Sequence, residues 1–561
     1  MGADRYRRAA VVGVAGLALA LLAGCSTGTA GGGGGAGAAA ASASSASSAA
    51  AAVPLGRVPQ PAQLRRLGGA GYPVTAKTSV HAEGGASAVA VADDLAALLR
   101  PSTGLALPVE GTGSTGPAGT AKAGTSKGGT SKGGAAGGIT LALDAAAGTG
   151  AEGYRLDAGP TGVVVTATSA AGLYHGAQTL RQLLPAKGTG TVPAVAIADQ
   201  PRYGYRSGGL DVARHFFPVR AVEDYIDLLA QYKFDYLRLH LSDDQGWRIV
   251  VPGLPKLTGI GASTEVGGGA GGYYTDAEYQ QLVAYAAARF ITVVPEVDLP
   301  GHSNAALTAY PDLGCAGDHA ARPYTGTDVG FSRVCTSKES TYTFVDQVVG
   351  ALADLTPGPY IGIGGDEAKT LSASAYAGFM ARASAIVRKH GKQPLAWDEA
   401  AAAGKEGPAL LGVWHPTSQQ PDGLDRQLVA AVKGGARLVM EPADHAYLDQ
   451  KYDDTTALGL SWAGYISVQQ SYNWDPDNYL SVSLPAGAVT GVEAPMWSET
   501  LTDTADLDTM LLPRLPALAE VAWTPQTDRH WPAFQQRLAD QAAYWDAEGL
   551  AWTQAAGIPW K

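Results

Sequence analysis

The sequence predicts an α/β chain: a (β/α)8 barrel over residues 198–561, preceded by a small α+β domain over residues 53–197. Three observations predict it. From Pro201 onward, short apolar runs alternate with segments whose apolar residues recur at helical spacing, the rhythm of a parallel sheet with crossover helices. Eight such units fill roughly 350 residues, the scale of one closed barrel. Polar and aromatic residues gather just after nearly every apolar run, at the strand ends where a barrel of this kind keeps its active site.

Before the folded region, "MGADRYRR" is a basic leader and "AAVVGVAGLALALL" an apolar stretch too short for a comfortable membrane span, ending in "LAGC". This looks like a lipoprotein signal over residues 1–24, cleaved before Cys25 and leaving a lipid on its sulfur; an ordinary secretory signal is the alternative. Either reading predicts export. Residues 25–52 are dominated by Ala, Gly and Ser and read as a flexible tether. The net charge of -11, with no basic block beyond the leader, argues against nucleic acid or an anionic membrane surface as partner. Membrane contact is expected only through the lipid.

Within residues 53–197, "YRLDAGPTGVVVTATS" reads as two alternating strands joined by a tight turn, followed by a helix from Ala171 to Leu184. A Gly/Ser/Thr/Lys-rich insert near residues 111–138 reads as a disordered surface loop. The barrel strands are expected at "GGLDVA", "FDYLRLHL", "ITVVPEV", "YIGIGG", "PLAWDE", "LLGVWH", "ARLVMEP" and "AVTGVEAPMW". Between them lie helical patterns at Val219, Val222, Tyr225, Ile226 and Leu229, at Tyr279, Leu282, Val283, Ala286 and Phe290, and at Tyr376, Phe379, Met380, Ala383 and Val387. Besides Cys25, Cys315 and Cys335 are the only cysteines. In an exported protein they most simply form a disulfide, worth on the order of 3 kcal/mol; two buried thiols are the alternative.

The chemistry centres on "IGIGGDEAKT", residues 361–370. Neighbours on a strand point to opposite faces, so Asp366 and Glu367 could not both line one pocket if the strand simply continued. Gly364 and Gly365 release that constraint. Side by side, the two acids suit a division of labour, one carboxyl giving a proton while its neighbour holds something else. No paired His or Cys ligands occur at metal spacing and no nucleotide-binding glycine fingerprint is visible, so neither a metal nor another cofactor is expected.

The motifs "LDVARHF", "HLSDDQGWR", "PEVDLPGHS", "GGDE", "YLD" and "WSE", in that order, resemble those of glycoside hydrolase family 20, the bacterial exo-β-N-acetylhexosaminidases. The likeness extends from about residue 53 to the C-terminus, with "EGYRL" and "GLYHGAQTLRQLLP" similar to that family's non-catalytic N-terminal domain. It implies hydrolysis of terminal β-linked GlcNAc or GalNAc with retention, the substrate's own 2-acetamido oxygen acting as nucleophile through an oxazolinium intermediate. The partner would be an oligosaccharide or glycoconjugate ending in an N-acetylhexosamine.

By matching position, the resemblance implies Glu367 as general acid and base, and Asp366 as the group that orients the acetamide and steadies its positive charge. An anionic Asp366 is also expected to disfavour ionisation of Glu367. Tyr447 would bind the acetamide oxygen. Trp397, Trp414 and Trp497 would box the acetamide methyl, although a strand-end tryptophan is often plain core. Arg206, Asp449 and Glu499 would hold sugar hydroxyls, and Trp462 would stack on the leaving sugar. Asp243 and His302 would support the acid, with His302 bridging Asp243 and Glu367; His240, His215 and Asp211 read as structural. Two residues depart from the family pattern: Gly362 stands where a histidine is common, and Glu441 where serine is usual. A relative that releases disaccharides or modified sugars, or a surface lipoprotein that only captures sugars, are the competing readings.

Overall fold

The computed structural model describes residues 56–111 and 137–561. The predicted leader, tether and anchor Cys25, and most of the predicted insert, lie outside the described residues.

The N-terminal part is a seven-stranded mixed sheet in the order Gln63–Arg66, Val195–Asp199, Tyr154–Gly159, Gly162–Ala167, Ile139–Leu143, Val80–Glu83, Val109–Gly111. The hairpin read from the sequence is its centre. Tyr154, Leu156 and Ala158 face the core and alternate with exposed residues, as a strand with one covered face requires. Helices Ala86–Thr103 and Ala170–Arg181 pack against this sheet. The second begins one residue before the expected start, capped by the Ser169 hydroxyl accepting from Gly172 N–H. Its expected last turn, up to Leu184, tightens into i→i−3 bonds ahead of Pro185.

A closed barrel of eight parallel strands follows: Tyr205–Asp211, Tyr236–His240, Thr292–Glu296, Tyr360–Gly362, Gln393–Trp397, Leu410–Val413, Arg437–Met440 and Val489–Met496, the last pairing with the first. We number them barrel strands 1 to 8. All eight expected runs form strands. The helices Val219–Gln231, Asp276–Ala288 and Ala373–Lys389 bury most of the apolar stripes read from the sequence; Phe290 lies beyond its helix, at φ 61°. After strand 5, a 3-10 stretch at Asp398–Glu406 replaces the regular helix.

The barrel interior is layered. Tyr205, Val294, Leu395, Leu410 and Val439 form an apolar floor. Above them Arg238 meets three carboxylates, Glu296, Glu441 and Glu493, all buried. Burial and crowding of like charges push Glu441 well above the ordinary carboxylate range despite the opposing guanidinium. Both departures from the family pattern sit at this layer. Glu441 bonds Arg238, and a Cβ built on Gly362 would lie 2.7 Å from Glu296 Cβ, so the glycine leaves that carboxylate its room.

The small sheet joins the barrel's lower end through buried polar groups. Lys233 Nζ lies 3.2 Å from Asp199 Oδ2 and 3.1 Å from Tyr154 Oη, and Trp523 Nε1 donates to Asp199 at 3.0 Å. Arg206 belongs to this junction. Its Nη1 donates to Glu152 (3.1 Å) and to the Tyr203 carbonyl (2.8 Å), its Nε to the Lys233 carbonyl (2.8 Å), and Asp235 lies 3.2 Å away. The expectation that Arg206 binds the sugar is therefore corrected: it is the second residue of strand 1, at the end opposite the polar rim.

Candidate active site

The carboxyl-terminal rim of the barrel assembles the candidate site, and strand 4 supplies its centre. Beyond Gly362 the chain turns through Gly364 (φ 63°) and Gly365 (φ 103°). Neither tolerates a side chain: a Cβ on Gly364 would lie 1.9 Å from Asp298 Oδ1, and one on Gly365 2.7 Å from Met380 Cε. Asp298, just after strand 3, accepts the Gly365 N–H at 3.0 Å and fixes the turn. Two non-glycine residues here hold left-handed backbone, Glu367 at φ 49° and His302 at φ 45°. Such strain is stored where the surroundings over-determine a conformation, as at active sites.

A chain of charged bonds runs beneath the pair. Glu296 Oε1 lies 2.8 Å from His240 Nδ1, and His240 Nε2 lies 2.8 Å from Asp243 Oδ2. Asp243 Oδ1 is 3.0 Å from His302 Nδ1, and His302 Nε2 lies 3.5 Å from Asp366 and 3.6 Å from Glu367. His302 therefore lies between Asp243, which it bonds, and the acid pair, both of whose carboxylates its Nε2 approaches without bonding either. Burial by itself would push His302 down, but Asp243 and Asp366 hold it well above the ordinary histidine value. His240 is raised likewise, to about 10, against the same penalty, by its bonds to Asp243 and Glu296. Asp243 stays well below the usual range: burial opposes this, but Arg214 and the two histidines outweigh it.

Glu367 differs from expectation. Burial tends to raise it, yet nearby His302 and the bond from Lys369 prevail and lower it. The influence of Asp366 falls elsewhere: burial and then Asp366 push Asp298 well above the carboxylate range, which favours a proton on Asp298.

Five aromatic rings form an arc beside the acids. Trp397 and Trp497 have centroids 5.7 Å apart, Trp497 and Tyr447 6.0 Å, Tyr447 and Trp462 5.9 Å, and Trp462 and Trp414 5.9 Å. Trp397 and Tyr447 are buried, whereas Trp462 is 44% exposed, an aromatic plate at the mouth. Trp414 Nε1 donates to Glu399 Oε2 at 3.0 Å, which sets its plane. Burial, followed by the Glu441 charge, keeps the Tyr447 hydroxyl well above its usual pKa and hence a donor.

The arginine of "LDVARHF", Arg214, stands at this rim. Its Nη2 lies 2.9 Å from Asp243, its Nη1 3.3 Å from Asp211, and its guanidinium 5.0 Å from the Trp497 ring. Asp449 is pushed to about 8 by burial and then by nearby Glu499; burial raises Glu499 too, against Arg214. Among the described residues, Arg214 Nε, His302 Nε2, Asp366 Oδ1, Asp298 Oδ2, Asp449 Oδ1, Glu499 Oε2 and Trp397 Nε1 are buried without a protein hydrogen-bond partner. Orphaned polar atoms are costly unless a ligand completes them, and so many beside an aromatic arc suit a polyhydroxylated ring. Cys315 and Cys335 are joined by a disulfide, closing a loop whose Gly330 packs against Lys369 beside Glu367.

Arg214, Asp298, Glu399 and His240 were not in the sequence-derived site. All follow or end a barrel strand, the position that identified the others.

An eight-stranded barrel with an adjacent Asp-Glu pair just after strand 4, beside an aromatic arc, defines a carbohydrate-cleaving hydrolase. Residues 203–526 match the model for the glycosyl hydrolase family 20 catalytic domain, and residues 57–200 that for domain 2 of the same family. The chain belongs to glycoside hydrolase family 20. It is 45% identical to a β-N-acetylhexosaminidase of Cellulomonas fimi over 413 residues, spanning 73% of this chain and 82% of that one. The fold is similar to the family 20 β-N-acetylhexosaminidase structure from Streptomyces coelicolor A3(2), with TM-score 0.83 and 46% identity over 91% of this chain and 99% of that one. A mutant Streptomyces plicatus β-hexosaminidase in complex with the product GlcNAc gives TM-score 0.82 and 47% identity over 91% and 98%.

Proposed function

We propose that this protein is an exo-acting β-N-acetylhexosaminidase that removes terminal β-linked GlcNAc or GalNAc with retention. The observation that carries the reading is the acid pair itself. Asp366 and Glu367 are successive residues reached by one histidine, so they lie on the same side of the pocket rather than across a sugar ring. A retaining enzyme with an enzymic nucleophile needs two carboxyls flanking the scissile bond. Here the acetamido oxygen of the substrate supplies the attack, and the aromatic arc provides an apolar seat for the acetamide methyl.

The roles follow from position. Glu367 protonates the departing oxygen and then activates water. Asp366 accepts the acetamide N–H and steadies the charge that develops there. The Tyr447 hydroxyl donates to the acetamide oxygen. Trp397, Trp414 and Trp497 enclose the methyl, while Arg214, Asp449 and Glu499 bind ring hydroxyls, the guanidinium with charge-assisted bonds, and admit one non-reducing residue. Trp462 offers its exposed face to the leaving sugar. Asp243 and His302 hold the acid pair in place. Proton NMR of the first turnovers of p-nitrophenyl N-acetyl-β-glucosaminide tests this: the β-anomer of GlcNAc should appear first, and prompt α-anomer would overturn the reading.

The leader supports a further part of the proposal: export, with a lipid on Cys25. Metabolic labelling with a radioactive fatty acid should mark the wild-type chain but not Cys25→Ser; equal labelling of both would exclude that anchor.

A further inference from the structure

Glu367 has two oxygens in different surroundings. Oε2 faces the buried His302 imidazole at 3.6 Å; Oε1 faces outward and is held at 2.8 Å by Lys369 Nζ. The lysine side chain is 62% exposed, but its stem is guided. Lys369 N–H donates to the Glu367 carbonyl at 2.6 Å, a tight turn that folds the lysine back over the acid. From the other side comes the disulfide-closed loop. A Cβ built on Gly330 (φ 77°) would lie 3.0 Å from Lys369 Cδ and 3.3 Å from the Glu367 carbonyl oxygen, so the bare glycine is what lets the stem lie there.

The leaving group must depart towards solvent, and Oε1 is the oxygen on that side. We propose that Lys369 is a positioning residue for the reaction: its ammonium occupies the outer oxygen of Glu367 in the free enzyme and withdraws when the leaving-group oxygen takes that place. This rests on the assignment of Glu367 as the acid. The other titratable and charged groups facing Glu367 are His302 and, behind it, Asp243; Asp366 with Asp298 and Arg214; and Glu399, whose Oε1 accepts the Glu367 N–H at 3.4 Å. Lys369 differs from them in having a mostly exposed side chain, so its ammonium can leave for solvent.

The consequence is a split between two pH profiles. An acid must be protonated to act, so activity falls as pH rises through the pKa of Glu367. A lysine on the free enzyme holds that group ionised and pulls the falling limb of kcat/KM to lower pH. In the substrate complex the lysine has left, so the limb of kcat is not subject to it.

The test uses N,N′-diacetylchitobiose, whose poor leaving group demands the proton, with wild type, Lys369→Met and Lys369→Arg between pH 4 and 9. For Lys369→Met the falling limb of kcat/KM should move up by about 0.5–1 pH unit, a gain of about 3- to 10-fold on that limb, with the limb of kcat unmoved. Lys369→Arg should keep the wild-type limb. Superimposable kcat/KM profiles, limbs of kcat/KM and kcat that shift together, or an arginine variant that behaves like methionine would overturn the proposal. Glu367→Gln separates the two failures. If it retains full chitobiose turnover, the acid assignment falls; if it is inactive while Lys369→Met is unchanged, only the role of the lysine does.

Discussion

At the residue scale, the site is a set of buried charges that share few protons among many acceptors. Asp243 is the hub: it receives His240, His302 and Arg214, and this crowd of cations keeps it anionic inside the protein. The contrast between Arg206 and Arg214 shows what sequence matching resolves and what it does not. Arg206 stands at the opening of strand 1 and Arg214 follows it, and both are buried and bonded to carboxylates. Only the direction of the strand separates them, since a residue preceding or opening a strand lies at the lower end and one following it at the rim. Arg214→Met should lower kcat/KM of the folded enzyme by about 10- to 100-fold through lost charged bonds, and should also lower the melting temperature because Asp211 and Asp243 are left buried without their cation. Arg206→Met should differ in turnover: it strands Glu152 and Asp235, costing about 3–5 kcal/mol of stability, but leaves kcat/KM of the folded enzyme within about twofold of wild type. Paired steady-state kinetics and thermal melts check both, and an Arg206→Met enzyme that melts normally but has lost turnover would reverse the assignment.

At the element scale, the strands were legible because each is a short β-branched or apolar run bounded by polar residues, and the barrel rule then converted strand ends into a site. That is why Asp366, Glu367, Tyr447 and the tryptophans converge. What the runs concealed is their inward face. In strand 2 the period-two pattern sends Tyr236, Arg238 and His240 into the lumen, while Leu237 and Leu239 turn out to the helices. An apolar-core expectation gives no reason to place a guanidinium there, still less three carboxylates around it. Glu441 and Gly362, read from the sequence as isolated departures, form part of one arrangement with Arg238 and Glu296. Through Glu296 and His240 that layer continues to Asp243, so the departures bear on the acid pair from below. The pKa of Glu367 was the least legible feature, because Lys369 and His302 act on it through distances that adjacency in sequence does not give.

At the scale of the whole molecule, the two ends of the barrel do different work. The lower end is sealed by an apolar floor and bonded to the small sheet through Asp199, Lys233, Glu152 and Arg206, which anchors strand 1 without touching the chemistry. The upper end keeps its polar atoms unsatisfied and its aromatic rings in an arc, ready for one terminal sugar. The central claim is that the enzyme brings no nucleophile of its own to that pocket. Comparing kcat/KM for p-nitrophenyl N-acetyl-β-glucosaminide with that for p-nitrophenyl β-glucoside, which differs at the acetamido arm, tests this most directly. The account predicts that the glucoside is cleaved at least about 1,000-fold more slowly, the order of advantage an intramolecular nucleophile confers. Equal rates for the two substrates would contradict it.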